Sequence, residues 1–116
     1  QLNTAWDTQH YYDNKLDKAG TGIYLNASPG VVARELHVVD STPGFSAVVY
    51  ARNDSPPLKA PPGNGWTQVS PSMVLGKTAT MPLNTQGTPY HFYLVWITSI
   101  GGHQQLSINE LTLYYR

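Results

Sequence analysis

Residues 90–116 read YHFYLVWITSIGGHQQLSINELTLYYR, and this stretch decides the fold. Its first apolar run, residues 92–100, is uncharged and rich in the β-branched and aromatic side chains that strands favour. The run is too short to span a bilayer, so it predicts a strand buried on both faces. The second run, residues 106–115, alternates apolar and polar side chains with one irregularity at 109–110, which predicts a half-buried strand with a bulge. The two runs are predicted to form an antiparallel hairpin closed by residues 101–105.

The composition limits the class of protein. A chain of 116 residues forms one domain, and 41% hydrophobic residues are enough for a core. Only 12% of the residues are charged, and seven basic and seven acidic side chains give a formal net charge of zero. Because phosphate binding needs a basic patch, no nucleic-acid partner is predicted. The uncharged polar surface favours an extracytoplasmic β-domain, and the start in a polar stretch indicates a domain cut from a longer protein.

The rest of the chain alternates between short apolar runs and turn sequences. Strands are predicted at residues 23–26, 31–39, 45–52, 66–70 and 78–83. Turns or breakers are predicted at 28–30, 41–44 and 84–89, and residues 1–14 are predicted to be a structured loop. Short strands with turn signals every 8–12 residues and no convincing helix are typical of an all-β antiparallel sandwich.

Two connecting segments carry further predictions. Residues 53–65 (NDSPPLKAPPGNG) hold four of the nine prolines and predict a long surface loop. Residues 71–77 are predicted to be a connection that buries Met73, Val74 and Leu75.

Four motifs occur in a recognisable order. The TAW of residues 4–6 opens the chain, VARELHV follows at 32–38, and YLVWIT at 93–98 precedes INELTLY at 108–114. Together they resemble the galactose-binding-like jelly roll of the discoidin or coagulation factor C-type superfamily. The variant with YLVWIT resembles the C-terminal extracytoplasmic domain of actinobacterial MviN-like and pseudokinase membrane proteins. The resemblance implies one domain over residues 1–116 and a membrane-anchored parent chain.

The same resemblance bears on calcium. Many relatives hold a structural calcium with an upstream Asp-Gly pair, which this sequence lacks, and a late glutamate, which Glu110 matches. Calcium takes six to eight oxygen ligands. Glu110, Asp7 and Thr4 are an incomplete set, so no cofactor is predicted.

No catalytic set stands out. The four histidines lack the spacing of a metal site, and the serines lack a G-x-S-x-G elbow. There is no glycine-rich phosphate loop. His37 and His91 lie within predicted strands and are interpreted as structural. The protein is therefore predicted not to be an enzyme.

The best candidate for a binding surface is an aromatic and polar cluster near the start of the chain. Sugar sites combine a flat aromatic face with planar polar side chains, and here either of two tyrosines could give the face. The cluster comprises His10, Tyr11, Tyr12, Asp13 and Asn14. In the resembling fold, the turn at 41–44 and the loop at 101–105 lie at the same end. The rim is then completed by His103, Gln104 and Gln105.

Two functions stay open at this point. The first is a non-enzymatic extracytoplasmic module that binds a cell-wall glycan or peptidoglycan fragment through these loops. The alternative is a protein-interaction or spacer domain that contacts a partner through residues 53–65 or a sheet face, with one tyrosine serving as core. The short turn at 41–44 predicts a shallow or altered site, and Trp6 and Trp96 are predicted to be core.

Overall fold

The computed structural model of the chain describes residues 3–4, 9–11, 19–53, 61 and 63–115. These residues form ten strands in two antiparallel sheets that pack face to face. In the described ranges there is no helix, and hence none long and apolar enough to cross a membrane. The strands are β1 (Asn3–Thr4), β2 (Gln9–Tyr11), β3 (Thr21–Val31), β4 (Ala33–Asp40), β5 (Ser46–Arg52), β6 (Thr67–Gln68), β7 (Met73–Val74), β8 (Thr78–Pro82), β9 (Tyr90–Ser99) and β10 (Ile108–Tyr115).

The two sheets differ in size. The smaller has the order β1-β10-β4-β8, and the larger has the order β2-β3-β9-β5-β6, with β7 also pairing with β5. Alternate side chains of both sheets point inward and form one core, as expected where two sheets stack. Its largest fully buried members include Phe45, Ile23, Leu25, Leu36, Met81, Leu111 and Leu113. The predicted all-β sandwich is confirmed.

Strand β9 is buried on both faces, as its unbroken apolar run predicts. Tyr93, Val95 and Ile97 face the core between the sheets. Leu94 and Trp96 face the other way, into a second cluster with Val48, Tyr50 and Trp66. Trp96 is thus buried, as predicted, but on the outer side of the larger sheet.

Arg52 packs against this second cluster through Trp66. Its guanidinium lies 5.1 Å from the centre of the Trp66 ring, and its Nη1 donates to the Asn64 carbonyl at 3.1 Å. Gly63, Asn64 and Gly65 all have positive φ, which brings this tight loop against the guanidinium. Only residues 53, 61 and 63–65 of the predicted 53–65 loop lie in the described part of the chain.

The predicted hairpin of β9 and β10 is wrong. β9 pairs with β3 and β5 in the larger sheet, whereas β10 pairs with β1 and β4 in the smaller one. The connection therefore crosses between the sheets. The physical reason is that β9 is apolar on both faces and must be covered on its outer face as well, which the second cluster does in the larger sheet. β10 has only one apolar face to bury and fits the smaller sheet. The predicted irregularity of β10 is confirmed as a register shift between Ile108 and Glu110.

The breaker predicted at 28–30 does not end its strand. β3 continues to Val31, and the break is absorbed as an irregular register with β9 between Asn26 and Val31. The Tyr93 hydroxyl spans the corner into β4: it donates to the Val31 carbonyl at 2.6 Å and accepts from the Ala33 amide at 3.2 Å. Burial raises the pKa of Tyr93 to about 12, so this hydroxyl stays protonated at neutral pH.

Smaller differences concern the short strands. Residues 3–4 and 9–11, predicted to be loop, form β1 and β2. In the 71–77 connection, Leu75 is buried, but Val74 is 70% exposed at the edge of the sheet. β1 pairs with the last strand, with Asn3 opposite Tyr115. Trp6 lies outside the described residues.

Candidate functional site

Two loops cross from one sheet to the other at the same end of the sandwich. Residues 41–45 lead from β4 to β5, and residues 100–107 lead from β9 to β10. The ends they join lie opposite each other in register, because Asp40 pairs with Ile108 and Ser46 pairs with Ser99. These two loops are called the loop end below.

Uncharged hydrogen-bonding groups join the two loops. The Ser41 amide donates to the Ser107 carbonyl at 2.9 Å, and the Ser107 amide donates to Thr42 Oγ1 at 3.0 Å. Asn109 Nδ2 donates to Ser41 Oγ at 2.7 Å, and Ser107 Oγ lies 3.3 Å from Asn109 Oδ1. Because three of these bonds connect residues more than 60 positions apart, they hold the loop end in one shape.

Glycines allow the two loops to approach each other closely. Gly101 and Gly102 have φ angles of 66° and 88°, and the His103 amide donates to the Ile100 carbonyl, which is the pattern of a type I′ turn. A Cβ added to Gly101 would lie 2.3 Å from the Gly44 carbonyl oxygen. His103 Nε2 lies 2.9 Å from the Pro43 carbonyl oxygen. A carbonyl only accepts, so Nε2 carries the proton in this contact.

Asp40 lies beneath the loop end. It is 3% exposed, its Oδ1 accepts from the Thr42 amide at 3.1 Å, and its Oδ2 has no hydrogen-bond partner among the described residues. Burial raises the pKa of Asp40 above its ordinary value, while the Thr42 amide and the charge of His103 oppose this. The carboxyl therefore supports the turn through an Asx motif, in which only one of its two oxygens accepts a hydrogen bond.

Replacing Asp40 by asparagine is expected to raise stability at neutral pH. Since the folded state binds this proton more tightly than the unfolded state, stability falls as pH rises from about 3.8 through the raised pKa. The neutral amide of Asp40→Asn keeps an acceptor for Thr42 and removes that dependence. We expect a gain of roughly 0.5–2 kcal/mol at pH 7, the range of single stabilising substitutions. Urea unfolding from pH 3 to 8 measures it.

The control for that series is Glu110→Gln, which removes an exposed carboxylate from β10. We expect it to change stability by less than about 0.5 kcal/mol, as surface substitutions usually do. A variant Asp40→Asn that is less stable than the wild type at pH 7 would mean that the Asp40 charge is stabilised in the fold.

The groove at the loop end has an uncharged lining. This groove of about 410 Å³ is lined by Gln105, Leu106, Ser107 and Ile108. Gln105 and its neighbour Gln104 are exposed, and His103 is half-buried. Amides and hydroxyls can both donate and accept hydrogen bonds, so they suit an uncharged polar ligand.

The predicted site residues are only partly brought together by the described structure. His103, Gln104 and Gln105 lie at the loop end, beside the 41–44 turn, as predicted. His10 and Tyr11 lie on β2, with Tyr11 level with Ile23 and Val95, and β2 runs towards the loop end. Tyr12, Asp13 and Asn14 lie outside the described residues. A binding role for all eight stays a prediction.

Of the three candidate calcium ligands, Asp7 and the side chain of Thr4 lie outside the described part of the chain. Glu110 is exposed, and its carboxylate bonds Thr112 within the same strand. Within the described ranges, no three acidic or histidine side chains cluster as metal ligands. One carboxylate is far from the six to eight oxygens that calcium takes.

The sequence reasoning missed the polar groups that hold the loops together. In the sequence, nothing distinguishes these groups from ordinary turn and strand residues; they are Ser41, Thr42, Ser107 and Asn109. One signal was present, because an aspartate directly before Ser-Thr-Pro-Gly is typical of an Asx turn. It could have indicated that Asp40 supports the turn.

Comparisons with known proteins support the architecture. No protein-family model matches the chain, and no curated protein matches it. Among solved structures, it is similar to "CpGH89CBM32-6 produced by Clostridium perfringens", with a TM-score of 0.59 and 12% identity. The match covers all of this chain and 93% of the other. The fold is a jelly-roll β-sandwich. At this identity the likeness concerns the fold alone, and the jelly roll explains why the last two strands belong to different sheets.

Proposed function

We propose that this jelly-roll domain is a non-enzymatic module that binds a neutral carbohydrate at its loop end. The observation that carries the proposal is the uncharged network of Ser41, Thr42, Ser107 and Asn109, which fixes two sheet-crossing loops beside exposed Gln104 and Gln105. A rigid end with paired donors and acceptors suits the vicinal hydroxyls of a sugar. The structural likeness to a CBM32 carbohydrate-binding module supports the same reading.

The setting of the domain is part of the proposal. Only 12% of the residues are charged and the net charge is zero, which suits a polar extracytoplasmic surface. The resemblance to extracytoplasmic domains of membrane proteins suggests a cell-wall glycan or peptidoglycan fragment as ligand and a membrane-anchored parent chain. Recognition would be by shallow contact, with no chemistry on the ligand.

The alternative is a protein-interaction or spacer domain. Its surface would have to include Val74, which is 70% exposed and is the one large hydrophobic side chain that is exposed in the described part of the chain. One such residue at a sheet edge is much less than a patch of several hundred Å², the size that marks interfaces.

The test is an NMR titration with galactotetraose, xylotetraose and N-acetylchitotetraose. Saccharide binding should shift the amide resonances of Gln104, Gln105 and Ser107. The double variant Gln104→Ala/Gln105→Ala should weaken binding about thirtyfold, since two hydrogen bonds of about 1 kcal/mol each are lost. Thr80→Ala, an exposed residue of β8, is the matched control and should bind as the wild type does. Absence of shifts at the loop end with every saccharide contradicts the proposal.

A further inference from the structure

A second polar groove lies on the side of the sandwich, away from the loop end. It has a volume of about 530 Å³ and runs between β6, at the edge of the larger sheet, and β8, at the edge of the smaller one. Ligand pockets commonly have volumes of roughly 300–1,000 Å³. It is lined by Gln68, Val69, Ser70, Pro71, Pro82, Leu83, Asn84 and Gln86.

The floor of this groove is fixed. Val69 and Leu83 are buried, and the Asn84 amide donates to the Val69 carbonyl at 2.7 Å, which ties the two sheet edges together. Ser70 is also buried: its Oγ accepts from the Val49 amide at 2.8 Å and bonds the Pro71 carbonyl at 3.0 Å. A ligand would therefore meet a surface that is already ordered.

Planar amide side chains stand on both walls. Gln68 Nε2 donates to the Ser70 carbonyl at 2.9 Å, and Asn84 Oδ1 accepts from the Gln86 amide at 3.1 Å. Each bond orients its amide and uses one of its two ends. Within the described residues, Gln68 Oε1 and Asn84 Nδ2 make no hydrogen bond, so one acceptor and one donor remain for a ligand.

The chemistry of the lining selects the class of ligand. No charged side chain lines the groove among the described residues, so neither an anion nor a cation finds a counter-charge. Pro71 and Pro82 lie along the two edges, and a proline has no N–H to pair with an added strand. An extended peptide is therefore disfavoured. The exposed proline rings offer flat C–H surface beside the amides, which matches a sugar ring with its hydroxyl groups.

We infer that this edge groove is a second saccharide site, separate from the loop end. On β4, Asp40 lies at the loop end, and Glu35 lies beside the groove because it pairs with Pro82. The two residues are five positions apart. At about 3.3 Å per residue the two sites are roughly 17 Å apart along the strand. A single short saccharide cannot then explain contacts at both, whereas a longer glycan could bridge them.

Two variants test the groove without disturbing its frame. Gln86 has a φ angle of 52°, so Gln86→Gly removes the side chain and relieves a strained backbone. Asn84→Asp keeps the acceptor for the Gln86 amide and removes the donor. In the titration with galactotetraose, xylotetraose and N-acetylchitotetraose, wild-type shifts at Gln68, Asn84 and Gln86 are expected. Each variant should lower the affinity at the groove about three- to tenfold.

Separate outcomes distinguish the two sites. Groove shifts that persist in Gln104→Ala/Gln105→Ala support a second site, even if the loop end itself binds nothing. The second site is overturned if the groove shifts disappear in that variant together with those of the loop end. It is also overturned if none of the three saccharides shifts the groove resonances of the wild type. Shifts produced only by a Gly-Ser hexapeptide also overturn it, because the groove would then be a peptide site.

Discussion

Replacing Gly22 by alanine is expected to unfold the domain or to lower its stability by about 3 kcal/mol or more, because the backbone of β9 leaves no room for the methyl group. A Cβ at this position would lie 2.1 Å from the Val95 carbonyl oxygen and 3.1 Å from Leu94 Cδ1. Gly22 is buried in β3, which is hydrogen-bonded to β9, so the obstacle is the backbone of the central strand. Domains of this size have total stabilities of roughly 5–15 kcal/mol.

Chemical denaturation measures this loss, and Gly76→Ala is its control. Gly76 is exposed, has no atom within 4 Å of an added Cβ, and does not have a positive φ angle. We expect a change within about 0.5 kcal/mol there. If Gly22→Ala unfolds at the same denaturant concentration as Gly76→Ala, β3 and β9 do not approach each other as closely as described at Gly22.

Gly101→Ala should separate the two crossing loops. The added Cβ would lie 2.3 Å from the Gly44 oxygen, and the φ angle of 66° adds a cost of roughly 1–2 kcal/mol. Relief requires the 101–105 turn to move away from the 41–44 turn, which breaks the His103 contact with Pro43. We expect a total loss of about 2–4 kcal/mol. Hydrogen exchange of the Ser41 and Ser107 amides should become faster.

Gly102→Ala is a matched control for that experiment. Gly102 also has a positive φ angle, 88°, but nothing lies within 4 Å of an added Cβ. The two variants therefore share the backbone strain, and their difference measures the contact between the loops. If the proposed function is correct, saccharide binding at the loop end weakens in Gly101→Ala and persists in Gly102→Ala. Equal stability and exchange rates in the two variants would mean that the loops are not in contact.

The sequence predicted the strands better than their partners. An uncharged run such as 92–100 specifies a strand buried on both faces, and the alternation of 106–115 specifies one buried face. Neither pattern says which sheet a strand joins. Two apolar strands on either side of a Gly-Gly turn favour a hairpin locally. The pairing was decided instead by β3, β5 and β4, which lie far away along the chain.

The candidate site was predictable to a similar extent. The 101–105 loop and the 41–44 turn were expected at one end, and His103 does meet Pro43 there. The network of Ser41, Ser107 and Asn109 was not foreseen, because these residue types are common in every loop. The edge groove was also missed, since Gln68 and Asn84 lie 16 positions apart and meet only when the two sheets stack. Burial of Asp40 likewise depends on the stacked sheets.

The pairing of β1 with β10 has a consequence for how the domain is carried. Asn3 lies opposite Tyr115, and Tyr115 in turn lies opposite Ala33 at the start of β4. Asn3 and Tyr115 therefore lie at the end of β4 remote from Asp40. The outermost described residues of the chain are thus at the pole opposite the crossing loops. An anchored domain would present those loops outward, at the far tip of its tether.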